Sequence, residues 1–156
     1  MAITTTFAES FITGLFSGTF DLPNDTLKLA LMNTSFAFDA EADVDWADIS
    51  SDEITAGNGY TADGITLTGV AVAVTAAAGD GIVNVTCSNN PTWTAASGAI
   101  ATTGAAALID HTVGTPKIIM VIDYDADYAT PDGQMFQVNL SGGVASATIT
   151  IPATST

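Results

Sequence analysis

Five consecutive apolar residues, Ile118-Ile119-Met120-Val121-Ile122, stand between Lys117 and Asp123. A run that short, and that rich in β-branched side chains, reads as a central strand buried on both faces. The rest of the chain supplies neighbours for it. Leu27, Leu29 and Leu31 alternate with Lys28, Ala30 and Met32. Residues 65–75 alternate too, but the phase slips between Leu67 and Val70, and Gly69 at the slip predicts a β-bulge. Ile82-Val83-Asn84-Val85 follows a Gly79-Asp80-Gly81 turn, and Ala105 to Ile109 is a weaker strand. Phe136, Val138 and Leu140 form one more, and Ala147, Ile149 and Ile151 another, ended by Pro152. The loop 124–133 and Ser141-Gly142-Gly143 predict antiparallel hairpins between the last three strands. The expected fold is mainly β, an antiparallel β-sandwich or jelly-roll-like domain over residues 23–156.

Residues 1–22 read as an N-terminal helical arm. Phe7, Phe11 and Leu15, with Ile12 and Phe16, recur at helical spacing over 6–17. Thr6 and Glu9 fit a capping box, and Gly14 and Gly18 weaken and then end the helix. An apolar helix of about three turns is unstable alone and must dock on something. Segment 33–64 reads as a long acidic loop with at most a short strand. The stretch 95–107 reads as a loop, or as a strand whose small side chains let another backbone approach.

Charge narrows the function. Seventeen acids stand against two lysines and no arginine, a net charge of -15 at pH 7, while 47% of the residues are hydrophobic. That much apolar material builds a core and excludes an acidic disordered tail. Two basic residues do not neutralise a phosphate backbone, which argues against nucleic acid, and the same holds for anionic membrane surfaces. Cys87 is the one cysteine, so no intramolecular disulfide forms, and no basic neighbour activates its thiol. No basic n-region precedes an apolar stretch at the N-terminus, so the expectation is synthesis in a cytoplasm without a secretory signal.

Four constellations bear on chemistry. Asp39, Glu41, Asp43, Asp45, Asp48, Asp52 and Glu53 surround Trp46, but no ordered ligand spacing or turn glycine makes them a calcium loop. They read as a solvated acidic loop anchored by Trp46. Asp123, Asp125 and Asp127 copy the opening of a calcium loop and are weak metal candidates. Tyr128 stands where that loop needs Gly, and Gln134 where it needs Glu, so a hairpin end with tyrosines covering the strand edges is the plainer reading. His111, the lone histidine, lies near Gly114 and Pro116 with no nucleophile-elbow signature in the chain, and reads as a loop residue. Carboxylate pairs for glycoside hydrolysis are available, but sequence does not show their separation. No arginine clamp, phosphate-binding loop or dinucleotide fingerprint is present. The expectation is therefore no enzyme, no catalytic residues and no cofactor.

The order of features is more specific than any one of them. The N-terminal helix leads into Gly14-Leu15-Phe16-Ser17-Gly18-Thr19-Phe20-Asp21 and then Asp25-Thr26-Leu27-Lys28-Leu29-Ala30-Leu31-Met32-Asn33-Thr34-Ser35-Phe36. Trp46-Ala47-Asp48-Ile49 precedes Ser51-Asp52-Glu53-Ile54, Gly59-Tyr60-Thr61-Ala62-Asp63-Gly64-Ile65-Thr66-Leu67-Thr68 and Pro91-Thr92-Trp93-Thr94-Ala95-Ala96. This order resembles a family of small virion proteins encoded beside the capsid and tail genes of tailed bacteriophages, best over residues 14–70 and 91–96. The resemblance implies a structural virion protein, a capsid decoration (cement) protein on the outer capsid surface. Its partner would be the major capsid protein, and the three-fold sites of such shells suggest a homotrimer. Phe7, Phe11, Leu15 and Phe16 are the expected subunit or capsid contacts, with capping of the domain's own core as the competing role. The alternative is a tail, baseplate or host-recognition module, its acidic loop 39–53 and aromatic-bearing loop 124–133 facing a glycan or receptor. A β-sandwich hydrolase is a third, weaker reading. Acids confined to loops would repel across subunits, so assembly is expected to strengthen with salt or divalent cations.

Overall fold

A computed structural model describes residues 3–77, 80–112 and 114–140; for 74–77 and 80–84 the description is of backbone alone. The fold is mainly β, with antiparallel sheets and two short helices. A five-stranded sheet forms the centre. It contains β1 (Thr4–Phe7), β2 (Leu27–Met32), β3 (Ile65–Thr66), β7 (Ile100–Asp110) and β8 (Lys117–Thr130), in the order β1-β8-β7-β2-β3. A ribbon of β4 (Ala71–Ala77) and β5 (Asp80–Thr86) and a second of β6 (Thr92–Thr94) and β9 (Met135–Gln137) complete the described strands. Helix α1 spans Glu9–Ser17 and α2 spans Trp46–Ile49.

The apolar run does what its composition requires. Ile118 to Ile122 are all buried, between β1 and β7. Leu108 pairs with Met120 and Ala107 with Val121, while Leu29 pairs with Leu108 and Ala30 with Ala107. The small residues of β7 have a purpose: Gly104 lies against the backbone of Thr34, where a Cβ would sit 3.2 Å from the Thr34 Cα. The ambiguous 95–107 segment is thus strand from Ile100 onward, and its small side chains admit a neighbouring backbone.

Four local expectations are corrected. First, the helix begins at Glu9 with Ala8 as its N-cap, and no side chain caps it, so the Thr6–Glu9 capping box does not form. Thr4-Thr5-Thr6 is β-branched and pairs with Ile122 and its neighbours on β8, and the sheet ladder takes the residues the helix would have needed. Second, Gly69 (φ +60°) is no bulge within one strand. Strand β3 ends at Thr66, and the chain leaves the sheet for the β4–β5 ribbon, with Ser88 bonded to the Thr68 carbonyl from both its N (2.7 Å) and its Oγ (2.8 Å). Third, the loop 124–133 is mostly strand. β8 runs on to Thr130, with Tyr128 opposite Thr103 and Thr130 opposite Ile100. Fourth, β9 pairs with β6 rather than with β8, because Trp93 and Phe136 form a cross-strand aromatic pair, ring centroids 6.2 Å apart. The predicted Ala147–Ile151 strand and the Ser141-Gly142-Gly143 turn lie outside the described residues.

Residues 4–22 belong to the same core as the sheet. Ala8, Phe11 and Leu22 are buried in one cluster with Leu29, Met120 and Trp93. Phe11 stacks on Phe7 at 5.9 Å and meets Phe20 edge-on at 5.0 Å. Gly14 is demanded by this packing, since a Cβ there would lie 2.4 Å from the Phe20 ring.

Candidate functional site

The expected contact residues divide between core and surface, Phe7 from β1 and the others from α1. Phe11 is buried and Leu15 and Phe7 are half-buried against the core. Phe16 is 82% exposed, and Ile12, one turn before it, is 38% exposed. Phe11 and Leu15 are spaced four apart, as are Ile12 and Phe16, so α1 carries two adjacent apolar stripes and buries one of them. Core capping and surface presentation are both realised, by different residues of one helix.

The far half of β8 separates two surfaces. Asp123, Asp125 and Asp127 are exposed and line an open groove of about 430 Å³, together with Thr4, Thr6 and Phe36. Tyr124 and Tyr128 line a second groove of about 450 Å³ with Ile3 and Phe136. The alternation of Asp and Tyr along the strand produces this division. Asp125 adopts φ +52°, and its N–H donates to Asp123 Oδ1 at 2.9 Å, an Asx turn. Tyr124 packs edge-on to Tyr128 (5.8 Å) and against Phe136 (5.8 Å). Its buried hydroxyl has no hydrogen-bond partner among the described residues, and burial pushes its pKa up.

Most of the acids of 39–53 are bonded to the chain itself. Asp39 Oδ1 accepts from the N–H groups of Glu41 (3.1 Å) and Ala42 (3.2 Å), and Asp43 Oδ2 from that of Asp39 (2.8 Å). Asp48 Oδ2 accepts from Val44 N (3.1 Å) and Asp45 N (2.9 Å), which starts α2; these bonds hold its carboxyl below the usual Asp range. Asp45 forms an ion pair with Lys117. Glu53 Oε1 accepts from the Tyr60 hydroxyl (2.6 Å) and from Asp63 N (2.7 Å), and the Tyr60 oxygen in turn accepts from Leu31 N (3.0 Å). Trp46 Nε1 donates to Asp63 Oδ1 at 3.1 Å. Leu31 also accepts from Ile54 N (3.0 Å), so this strap closes β2 beyond the short β3. Burial raises the Glu53 carboxyl above its usual value despite these donors. The segment 33–64 was expected as an acidic loop; it contains α2 and a 3₁₀ turn, Ser50–Asp52, and it is anchored by Trp46 as expected.

The motif Gly59 to Gly64 explains itself in this strap. A Cβ on Gly59 (φ +96°) would sit 2.0 Å from the Thr94 carbonyl oxygen, and one on Gly64 (φ +72°) 1.9 Å from that of Leu29. Both glycines let the strap press its backbone onto its neighbours.

Among the described residues no three His, Cys, Asp or Glu side chains converge as a metal cage. Cys87 is half-buried, its Sγ 3.1 Å from the Asn89 carbonyl, and burial raises its thiol pKa. His111 donates its backbone N–H to Thr26 O (2.8 Å), and burial holds its imidazole below the usual pKa. Its neighbour Asp110, at the end of β7, is fully buried. Asp110 and the exposed Ile3 were not among the expected site residues, and Ile12 was placed on the helix beside Phe16 but not among the expected contacts, although the Ile12–Phe16 spacing was the signal for the second stripe. No helix among the described residues is long and apolar enough to cross a membrane. No protein-family model, no curated protein and no solved structure matches this chain.

Proposed function

We propose that this chain is a non-enzymatic bacteriophage capsid decoration (cement) protein that binds the outer capsid surface and stabilises it as a homotrimer. The observation that carries the reading is the second apolar stripe of α1. Phe16 and Ile12 present large apolar side chains to solvent, although the helix is already held by Phe11. Removing such a stripe from water on the major capsid protein, or on a second copy, releases about 25 cal/mol per Å² of apolar area. Binding of this kind stabilises the folded chain and the shell together by mass action. The fold we propose is a jelly-roll-like sandwich. The β6–β9 ribbon supports it by packing Phe136 against Tyr124 of the central sheet.

The test is co-sedimentation of the purified protein with undecorated capsids. Ile12→Glu/Phe16→Glu is expected to abolish binding while leaving the folded state intact, since neither side chain is buried. Salt or divalent cations are expected to strengthen wild-type binding by screening the net charge of -15. Full binding by the double variant would refute the assignment of this contact.

The second reading, a tail, baseplate or host-recognition module, draws on the groove of Tyr124, Tyr128 and Phe136. Aromatic faces beside open space suit the apolar faces of a glycan. Labelling of the tail tip rather than the head would favour it.

A further inference from the structure

Outside the surfaces just described, one element is left without a neighbour. Strands β4 and β5 form a ribbon of their own, in continuous register from Ala71 opposite Thr86 to Ala77 opposite Asp80. Its base is tied down: Val85 is half-buried against the core, and Ser88 bonds the Thr68 carbonyl. Beyond that base no other described strand or helix packs along it. Ala71 and Ala73, at positions of one face, and Val72, at a position of the other, are all exposed, Val72 at 42%. A two-stranded ribbon left to itself is marginal in water and needs a third strand or a packed face.

Edges, faces and charge together select the partner. Both outer edges of the ribbon lack a strand neighbour among the described residues. Neither strand carries the Lys, Pro or bulge that protects a natural sheet edge. Such an edge recruits another strand through its main chain, and a ribbon with an edge on each side is self-complementary, because β4 of one copy can take β5 of the next. The register sets Val72 opposite Val85 and Val74 opposite Val83, so valines occupy successive positions of one face. Between Gly64 and Ile109 the only charged residue is Asp80, in a chain of net charge -15. Two copies that meet through their acidic surfaces repel within a screening length of about 8 Å; along the ribbon they bring no acid but Asp80 together. A basic foreign partner would be steered to the acids of 39–53 and 123–127, not to this neutral arm.

We propose that the β4–β5 ribbon is the self-association surface of this chain, and that it joins the ribbon of a second copy edge to edge. The shared sheet would set the valine positions of the copies on one continuous face. This surface is separate from the Ile12–Phe16 stripe, and the proposal does not rest on capsid binding.

The experiment is sedimentation equilibrium of the full-length protein over a concentration series, with hydrogen exchange read by mass spectrometry at both ends of the series. The wild type is expected to self-associate, and alternate amides of β4 and β5 to exchange more slowly in the oligomer than in the diluted monomer. Val72→Glu/Ala73→Glu, at two exposed positions, is expected to keep its circular dichroism and to be monomeric where the wild type is oligomeric. Ile12→Glu/Phe16→Glu is expected to keep the oligomer, so failure of the capsid contact and failure of this surface are read separately. A wild type that stays monomeric, an oligomer with unprotected ribbon amides, or an oligomer that survives Val72→Glu/Ala73→Glu would overturn the proposal. So would ribbon protection already present in the monomer, which would assign the cover to the same chain, or protection gained only on adding capsids, which would assign it to a foreign partner.

Discussion

Acids 39–53 and acids 123–127 are comparably dense in the sequence and do opposite things in the structure. The first group is tied into the chain's own turns, although Asp39, Glu41 and Asp48 remain exposed. Its carboxylates accept backbone N–H groups, a tyrosine hydroxyl and the Lys117 ammonium, and so hold a strap over one side of the sheet. The second group is exposed along a strand whose other face carries Tyr124 and Tyr128. A chain with two lysines and no arginine has few cations to pair with its acids. It uses the backbone donors of turns instead, and a carboxylate accepting several N–H bonds is stabilised without a salt bridge. Acid density therefore does not by itself indicate a cation site or a solvated loop; the neighbouring backbone decides.

Mutations should separate the two groups in graded steps. Gly64→Ala strikes the strap hardest, because the new Cβ would collide with the Leu29 carbonyl at a φ of +72°. A loss of about 3 kcal/mol or more is expected, read as a fall in the urea midpoint. Tyr60→Phe removes the acceptor for Leu31 N and the donor to Glu53, and should cost about 1–3 kcal/mol in the same assay. A change below the error of that assay would mean that the knot is incidental.

Glu53 gives the strap a pH signature. Its folded-state pKa is raised, chiefly by burial, so its contribution to stability is present below the unfolded-state value and is lost as pH rises through the raised value. As pH falls from 7 toward the usual Glu range, Glu53 should therefore add to Tm while His111, whose imidazole is held below its usual pKa, subtracts from it, and Glu53→Gln should lower the slope of Tm against falling pH relative to the wild type. A variant with the same slope as the wild type would remove Glu53 from the account. The smallest effect is expected at the other acidic group. Asp123→Asn/Asp125→Asn/Asp127→Asn should change stability by no more than about 0.5 kcal/mol. A large loss there would erase the distinction between the two groups.

The central strand, strand β2 and the αL glycine that ends α1 were all legible, because each rests on a local period or a single backbone requirement, although β2 buries Ala30 and Met32 as well as its three leucines. Gly18 caps the helix at φ +74° as its position suggested. The pairing of the strands was less legible. That β9 joins β6 depends on Trp93 meeting Phe136 across 42 intervening positions in the chain, and no local pattern carries that information. The start of α1 was misjudged because Thr4-Thr5-Thr6 satisfies both a helix cap and a strand, and the vacant edge of β8 decided between them. Helix α2 is only four residues long, too short for a period to emerge, although Asp45 followed by Asp48 is a start signal. As for the candidate contacts, the sequence placed Phe7, Phe11, Leu15 and Phe16 on one helix-bearing segment. Which of them face outward depended on where that helix docks.

A cryo-EM map of the assembled particle tests the central claim most directly. The account predicts density for this chain across the outer surface of the head, in three-fold clusters, with Ile12 and Phe16 buried against the major capsid protein or a neighbouring copy. Density confined to the tail or baseplate, or head density with both side chains still exposed to solvent, would contradict it.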